Sequence, residues 1–549
     1  MKSGFCALVV VFGLFWVGQG VVASHRHGPA RSYSKKPVVF HPLALQPESA
    51  EQKAFKKESL GEFPKAIERA FSNRLLNKVQ FGFIVTSLTS HEVLVEHDAD
   101  TLLNPASNVK LVTTLAALSI LKPDYRFKTE YYIDGDGDLI VKGYGDPSIT
   151  NERLMHVARA LELRGIKEIK GDIILDTTYF EDEGQAKGWS QERHNPKSYT
   201  APIGALSLNS NTVNISIRSE SPGVPASFEL DPPSDYFKIK GQILTSERKN
   251  RPFVGIEDDG KTMEVKISGQ VSQRVDYAEF RRKIFNPTYY FGNSLVYFLK
   301  QEGIHCESSQ IRTGKLSPRA KLVWTDRSES LWQVASDTNK YSSNFMAEML
   351  VKAIGAQTSV PARFETGLHS IRQFLENEVG LKKGSYRVEN GSGLNDYNRF
   401  SARQMAQLLD YAYKNFEVAS EFVSSLAVAG SQGTISKRMK NMPAERKLRA
   451  KTGTLTGVSS LSGYVVTKDN DVLAFSMIVQ GRGCLPYKAR QLEDSIGNAL
   501  ASIDIDTPTQ LATTFEKNLE KNDTNKEEEG VEPAEQAVTE EEEISGGGG

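Results

Sequence analysis

The chain has 549 residues, of which 39% are apolar and 25% are charged. A chain of this length and composition can bury two or three hydrophobic cores, so we expect a large globular protein. The formal net charge of −1 gives no general reason to expect nucleic-acid binding.

The amino-terminal segment is typical of an export signal. Lys2 supplies a positive start, residues 5–17 form an apolar run, and residues 21–23 give a small-residue cleavage site. The run is too short to span a membrane comfortably. We therefore predict a signal peptide at residues 1–23, a basic linker at 24–54, a periplasmic location, and no integral membrane segment after cleavage.

A β-hairpin and then a buried helix are the next predicted elements. Residues 79–88 and 93–96 are apolar, β-rich runs that turn at Thr89-Ser90. An apolar run with helical spacing follows and ends at Lys122-Pro123, since proline does not continue a helix.

The start of this helix carries an S-x-x-K motif. Ser107 falls in the first turn and Lys110 lies on the same face, so its amine can reach the serine hydroxyl. Lysine acts as a base only if its pKa falls well below about 10.4, which burial and a second cation, Lys451, could cause. The motif alone is weak, because serine is a common helix cap and the spacing recurs at residues 32–35 and 246–249.

Short strands bounded by Gly, Asp and Asn follow, and they predict small β-rich domains at residues 129–319. The run Asp134–Asp138 resembles a calcium loop. However, Leu139 stands where an EF-hand needs glycine and Gly145 where it needs glutamate, so a hairpin turn is the better interpretation. We predict no metal site.

Two further motifs follow in a fixed order. Ser342–Asn344 (S-x-N) precedes an apolar helix, and Lys451–Gly453 (KTG) precedes two β-rich runs that turn at Lys468–Asn470. KTG therefore predicts the start of an edge strand in an antiparallel sheet. It occurs once, and the similar Arg312–Gly314 has no matching strand pair after it.

The three motifs together resemble those of the penicillin-interacting serine enzymes. From about residue 60 to 505 the chain is similar to the D-alanyl-D-alanine carboxypeptidases and endopeptidases of the penicillin-binding protein 4 type. The stretches that add to the resemblance are Gly143–Thr150, Lys170–Asp176, Tyr199–Asn211, Asn390–Leu394 and Val428–Arg438.

The resemblance implies an α+β fold. We expect a transpeptidase/β-lactamase-like domain, an antiparallel sheet flanked by helices, at residues 55–128 and 320–510. The β-rich domains at 129–319 are then insertions that wall the cleft. Residues 511–549 are acidic and of low complexity, which predicts a disordered tail, either solvated or bound to a basic partner.

The resemblance also implies acyl transfer to water. Lys110 takes the proton of Ser107 as its oxygen attacks the carbonyl of the penultimate D-alanine. Ser342, within reach of Lys110, relays the proton to the leaving amine. Asn344 orients Lys110 and the substrate amide.

The remaining implied roles concern binding. Lys451 and Thr452 receive the terminal carboxylate, Gly453 keeps the strand open to pairing with substrate, and the N–H groups of Ser107 and Thr454 stabilise the oxyanion. The expected partners are peptidoglycan stem peptides and, as inhibitors, β-lactams. No cofactor is expected, and the sequence leaves open whether the chain forms a homo-oligomer.

Two departures from the family pattern stand out. Ser343 replaces an Asp that is frequent there, which we expect to be mild. Asn395-Asp396 stands where a basic residue is usual, which puts the customary diaminopimelate preference in doubt. After signal cleavage Cys306 and Cys484 remain, either as a disulfide or as two buried thiols.

Three alternative functions remain. A serine β-lactamase would use the same acylation but needs an efficiently placed deacylating water. A Ser-His-Asp hydrolase is poorly supported, because the chain has no G-x-S-x-G motif. An inactive murein-binding scaffold would keep the cleft without the chemistry, but all seven motif residues are retained.

Overall fold

The protein is represented by a computed structural model that describes residues 79–503, except 182, 183, 185, 190–195, 249, 307, 308 and 483. The predicted signal peptide (1–23), basic linker (24–54) and acidic tail (511–549) lie outside the described residues. Within the described part of the chain, no helix has both the length and the apolar character needed to cross a membrane.

Nineteen strands are found among the described residues. In chain order they are β1 (Gln80–Ser87), β2 (Val93–His97), β3 (Lys128–Ile133), β4 (Leu139–Gly143), β5 (Ile173–Asp176), β6 (Thr212–Arg218), β7 (Ser227–Asp231), β8 (Phe237–Gly241), β9 (Leu244–Ser246), β10 (Phe253–Asp259), β11 (Thr262–Ser268), β12 (Gln270–Ser272), β13 (Tyr277–Lys283), β14 (Ile311–Thr313), β15 (Lys321–Arg327), β16 (Ala427–Val428), β17 (Leu448–Leu455), β18 (Val458–Val466) and β19 (Val472–Gln480).

Helices occur on both sides of the strand-rich region. In chain order the α-helices are α1 (Val109–Leu121), α2 (Asn151–Leu163), α3 (Pro287–Gln301), α4 (Leu331–Lys340), α5 (Asn344–Ala356), α6 (Phe364–Asn377), α7 (Ala402–Lys414), α8 (Ala419–Ser425) and α9 (Pro486–Ser502). The helix predicted to end at Lys122-Pro123 is α1, and this prediction is confirmed.

A six-stranded antiparallel sheet carries the third motif. Its order is β16-β17-β18-β19-β1-β2. The strands β1 and β2 form the predicted hairpin, and β1 also pairs with β19, where Phe83 lies opposite Met477. Strands from the two ends of the described chain therefore pair within one sheet.

Both faces of this sheet are covered, which explains its apolar strands. In β19, Ala474 and Ile478 pack in the cluster around α1, whereas Phe475 and Met477 pack in the cluster with α9. Helix α1 is buried on all sides over most of its length, as expected for a helix that is apolar all round. The turn before α1 contacts β17 and β18, so the start of this helix lies against the sheet.

The region predicted to hold the inserted β-rich domains, residues 129–319, contains strands β4 to β14. A five-stranded sheet has the order β14-β5-β4-β3-β15, and its core includes residues of α2 and α3. The smaller sheets are β13-β6-β7, β10-β11-β8 and β12-β9. Because β15 pairs with β3, the predicted boundary at residue 320 separates a strand from its sheet. A boundary after Arg327 fits the pairing better.

The Asp-rich run forms the predicted hairpin turn. The Asp134 carboxylate accepts hydrogen bonds from the backbone N–H groups of Asp136 and Asp138, both at 3.1 Å. The flanking strands β3 and β4 pair antiparallel. The turn is therefore explained by its own side-chain to backbone bonds.

Cys306 and Cys484 are both buried and are not joined by a disulfide, which agrees with the alternative of two buried thiols. Burial raises the pKa of the Cys484 thiol to about 11. A thiol in this state is a poor nucleophile at neutral pH.

Candidate active site

The three sequence motifs meet where the chain enters α1. Ser107 lies in the 3₁₀ turn Ala106–Asn108, directly before the first residue of α1. Asn344 is the first residue of α5, and Lys451 is the fourth residue of β17. Residues far apart in sequence are thus brought to one end of the buried helix.

Lys110 is the hydrogen-bonding centre of the site. Its buried Nζ lies 3.0 Å from Ser107 Oγ, 2.7 Å from Asn344 Oδ1 and 2.7 Å from the Ser392 carbonyl. Burial lowers the pKa of Lys110 to about 7, and the negative charge of Glu348 opposes this shift. Near neutral pH the amine is therefore available in its basic form beside the serine hydroxyl.

Strained backbone lies next to both serine hydroxyls. Ala106 has φ 47° and Ser342 has φ 57°. This left-handed conformation costs a non-glycine residue about 1–2 kcal/mol. Such strain persists only where the surrounding structure holds it, and it is common at functional sites.

Ser342 contacts the other lysine of the site. Lys451 Nζ donates to Ser342 Oγ at 2.8 Å and to the Thr452 carbonyl at 2.8 Å. The structure thus differs from the expectation that Ser342 bonds to Lys110, whose acceptors are Ser107, Asn344 and Ser392. Burial and then the charge of Lys110 hold the pKa of Lys451 well below its ordinary value.

Burial, one of the two causes expected, lowers the pKa of Lys110. Charge repulsion between the two lysines, the other expected cause, contributes to the lowered pKa of Lys451. Lys451 is itself fully buried.

KTG lies inside its strand and not at its start, because β17 begins at Leu448. The predicted edge is also incomplete: the short β16 pairs with Arg449 and Ala450, and beyond Ala450 no described strand pairs on that side. The two-residue loop 456–457 makes Leu455 and Val458 a hydrogen-bonded pair. Since bonding alternates along an antiparallel strand, the backbone groups of Thr452 and Thr454 point toward the open side.

Gly453 allows β17 to approach the turn that carries Ser107. A methyl group at Gly453 would lie 2.8 Å from the Pro105 carbonyl and 3.1 Å from Ala106 Cβ. It would also overlap Ser460 Oγ. The close contact between β17 and the turn before α1 gives a reason for glycine at position 453. The other reason, expected from the sequence, is that glycine leaves the strand backbone open to pairing with substrate. Beside it, the Thr452 hydroxyl donates to Thr434 Oγ1 at 2.9 Å.

The loop 390–393 is a part of the site that the sequence analysis gave no role. Its Ser392 carbonyl accepts from Lys110, and the Gly391 carbonyl accepts from Thr113 Oγ1 at 2.7 Å. A methyl group at Gly391 would lie 2.9 Å from the Ala347 carbonyl. The glycines of N-G-S-G were the available signal, since they indicate close backbone packing.

The inserted region also contributes to the site. The Asn344 side-chain amide donates to the Tyr199 carbonyl at 3.1 Å, which turns its oxygen toward Lys110. Tyr199 belongs to a stretch that carried the family resemblance.

Asp396 has an exposed side chain. Its carboxylate accepts from the Asn104 amide at 2.9 Å and pairs with Arg399 at 2.7 Å. The charge of Asp396 is thus partly balanced by a cation from its own loop.

A serine paired with a buried lysine at a helix start, beside an antiparallel sheet, defines the class of penicillin-interacting serine enzymes. The chain belongs to the D-Ala-D-Ala carboxypeptidase 3 (S13) family, whose family model matches residues 64–502.

Individual relatives agree with this assignment. The chain is 27% identical over 476 residues to a D-alanyl-D-alanine carboxypeptidase of Actinomadura sp., covering 83% of this chain and 88% of the relative. It is 26% identical over 421 residues to the D-alanyl-D-alanine carboxypeptidase DacB of Haemophilus influenzae, covering 73% and 85%.

The fold is shared with a solved structure. Penicillin binding protein 4 (dacB) from Haemophilus influenzae superposes with a TM-score of 0.69 at 22% identity, covering 80% of this chain and 99% of that one. A second structure of that protein, complexed with a β-lactam, gives a TM-score of 0.61 at 21% identity, covering 83% of this chain and 98% of that one.

Proposed function

We propose that this protein is a serine D,D-peptidase that removes the terminal residue of D-Ala-D-Ala peptides of peptidoglycan through an acyl-enzyme on Ser107. The observation that carries this proposal is the contact between Ser107 and a buried Lys110 whose pKa lies near 7. Family membership supplies the substrate class, and we extend it to the D,D-cross-links between stem peptides.

Acylation begins when neutral Lys110 accepts the hydroxyl proton of Ser107. The serine oxygen then attacks the carbonyl carbon of the penultimate D-alanine, and the bond to the terminal D-alanine nitrogen breaks. The leaving nitrogen takes up one proton, so terminal D-alanine departs as an amine. Water then attacks the ester and gives one proton to the group that protonated the amine, while Lys110 returns its proton to Ser107 Oγ as the shortened peptide leaves.

We assign proton delivery to Ser342 together with Lys451. Because Ser342 Oγ accepts from Lys451, its own hydroxyl proton is free to point toward the leaving nitrogen. The charge of Lys451 also favours the substrate carboxylate, although its ammonium is buried behind Ser342 and Thr452. In this arrangement the hydroxyl of Thr452 would redirect its proton from Thr434 Oγ1 to make the direct carboxylate contact.

The oxyanion is held by the backbone N–H groups of Ser107 and Thr454. Ser107 lies in the first turn of a helical segment, where N–H groups have no partner within the helix. Thr454 directs its N–H toward the open side of β17. Removing one such donor typically costs about 100- to 1000-fold in rate.

Substrate would bind as an added strand along β17 beyond Ala450. Its backbone would pair with Thr452 and Thr454, and the inserted region, which reaches the site through Tyr199, would wall the cleft. We also propose that the protein is exported by the signal peptide at residues 1–23 to the periplasm. Sequencing of the mature amino terminus tests this location.

The test of the nucleophile is intact-mass analysis after incubation with benzylpenicillin. One penicilloyl group should be added to the wild type, and Ser107→Ala should abolish it. Ser246→Ala, in another S-x-x-K of the sequence, is the matched control and should be acylated normally. An adduct retained in Ser107→Ala would place the nucleophile elsewhere.

Product analysis separates the remaining alternatives. Defined muropeptide monomers should lose D-alanine, and cross-linked dimers should be cleaved if the endopeptidase activity is present. Rapid, repeated turnover of nitrocefin would favour a β-lactamase. Complete failure to react with penicillin and with peptide would favour an inactive binding scaffold.

A further inference from the structure

Glu348 is a fully buried carboxylate that the proposed mechanism does not use. It lies one helical turn after Asn344 on α5, so both side chains point from the same face. Lys352 follows after another turn, and its Nζ donates to the Ala362 carbonyl at 3.2 Å. A carboxylate is rarely buried to this extent without a specific set of partners.

The partners of Glu348 are in the loop 390–393. One carboxylate oxygen accepts from the N–H of Gly391 at 3.0 Å and the other from the N–H of Ser392 at 2.8 Å. The carboxylate thus holds two successive peptide N–H groups. The carbonyl of the same Ser392 is the one that accepts from Lys110.

The loop has little freedom to take another position. A methyl group at Gly391 would meet α5 near Ala347, and one at Gly393 would overlap the Ala106 carbonyl beside Ser107. The loop is therefore packed between α5 and the start of α1. The orientation of its carbonyl groups depends on where its N–H groups are held.

Few charges surround Lys110. The titratable groups that face it are Glu348 from α5 and Lys451 from β17, while Ser107, Asn344 and Ser392 present neutral oxygens. Glu348 in turn faces Lys110, with Lys352 one turn away. Among these groups, Glu348 is the only one that can carry a negative charge. Burial raises its pKa, and its hydrogen bonds with Ser392 and Gly391 and the charge of Lys110 oppose that rise.

We propose that Glu348 is a positioning residue of the acylation step. Its carboxylate fixes the loop 390–393 so that the Ser392 carbonyl holds Lys110 against Ser107, and its negative charge balances the ammonium form of Lys110. This inference rests on the proposed function. The opposition of the Glu348 charge to the burial-driven fall in the pKa of Lys110 supports it.

The experiment measures the rate constant of acylation by benzylpenicillin against pH in the full mature chain. In the wild type the rate should rise through about pH 7, where Lys110 loses its proton. Glu348→Gln replaces one acceptor oxygen by an NH₂ donor and so cannot accept from both N–H groups. The acylation rate constant at high pH, the plateau, should fall by roughly ten- to a hundredfold. The acid limb, the pH range over which the rate constant rises to that plateau, should move to lower pH by about one unit.

Two further variants separate the effect of the Glu348 charge from the effect of its side-chain length and from a general loss of stability. Glu348→Asp keeps the charge but is one methylene shorter, so its plateau should fall while its acid limb stays near that of the wild type. Asp146→Asn removes another fully buried carboxylate, whose partners are Ser148 and Arg153. It should lower the melting temperature without changing the pH profile of acylation.

An acid limb at the wild-type midpoint in Glu348→Gln would overturn the proposal, even with a lower plateau, because a purely structural role predicts that result. If Glu348→Gln does not fold, a wild-type plateau in Glu348→Asp would overturn it. Absence of acylation in the wild type at every pH would instead refute the proposed function, so the two failures are distinguishable.

Discussion

Lys110 and Lys451 are both fully buried in the same site, and their positive charges repel each other. Coulomb repulsion is reciprocal, so a proton on Lys110 disfavours one on Lys451 and the reverse. The pair therefore holds one proton more easily than two. One lysine can be basic while the other stays cationic, which fits the separate tasks that we propose, activation of Ser107 and protonation of the leaving amine.

Gly453→Ala tests the contact between β17 and the turn that carries Ser107. The added methyl group would meet Pro105 and Ala106, and overpacking of this kind costs about 1–3 kcal/mol of unfolding free energy. Displacement of the strand should also slow penicillin acylation by about tenfold or more. Thermal unfolding and gel labelling with a fluorescent penicillin measure the two effects.

The matched control for this change is Gly135→Ala. A methyl group there has no neighbour within 4 Å, and the residue lies in the hairpin turn of the inserted region. Both stability and labelling should stay at the wild-type level. Normal labelling of Gly453→Ala would show that the strand does not need this close approach.

At the scale of elements, helix starts position the reactive groups. Ser343 is the N-cap of α5, and its hydroxyl accepts from the Met346 N–H at 3.2 Å. This cap fixes the first turn, to which Asn344 belongs. Serine and aspartate are both preferred N-cap residues, which supports the expectation that this departure is mild.

Ser343→Ala should therefore lower the free energy of unfolding by about 1 kcal/mol. Acylation should slow by up to about fivefold, the factor to which that energy corresponds. Ser401→Ala removes the equivalent cap of α7, where Ser401 Oγ accepts from the Gln404 N–H at 3.2 Å. It should lose similar stability with unchanged acylation. Equal slowing in both variants would contradict a specific role for the α5 cap.

Sequence patterns predicted the elements that depend on local order. The i, i+3 spacing of Ser107 and Lys110, the end of α1 and the first hairpin follow from neighbouring residues. By contrast, the Lys110 to Ser392 bond joins residues 282 positions apart, and no local pattern encodes it. The choice of Lys451 as partner of Ser342 likewise depends on how the fold brings β17 next to the segment that precedes α5.

At the scale of the whole molecule, the six-stranded sheet that carries the KTG motif is built from segments far apart in sequence. The pairing of β1 with β19 joins residues near 80 to residues near 480, and the inserted region lies between them in sequence. The inserted region has its own hydrophobic core, separate from the clusters on the two faces of the six-stranded sheet. Sequence composition indicated several cores, but the assignment of β15 to the inserted sheet required its pairing partner.

The buried site should also make the stability of the whole molecule depend on pH. The pKa of Lys110 is about 7 in the folded protein, whereas an unfolded lysine has a pKa of about 10.4. Below pH 7 both states hold the proton, and the cost of burying the ammonium is fully present. Between these values only the unfolded state holds it, so the free energy of unfolding rises with pH by up to about 1.4 kcal/mol per unit.

Lys110→Met removes this titration, and urea unfolding at pH 7, 8 and 9 measures the result. The wild type should gain stability relative to Lys110→Met as the pH rises, whichever protein is more stable at pH 7. Lys451 is present in both proteins, and burial, the main cause of its lowered pKa, acts in both, so its contribution to the slope largely cancels. Lys300→Met, which removes an exposed lysine, should keep the wild-type slope. Parallel slopes for wild type and Lys110→Met would show that Lys110 keeps its proton throughout this range, and Lys110 could then not serve as the base that activates Ser107.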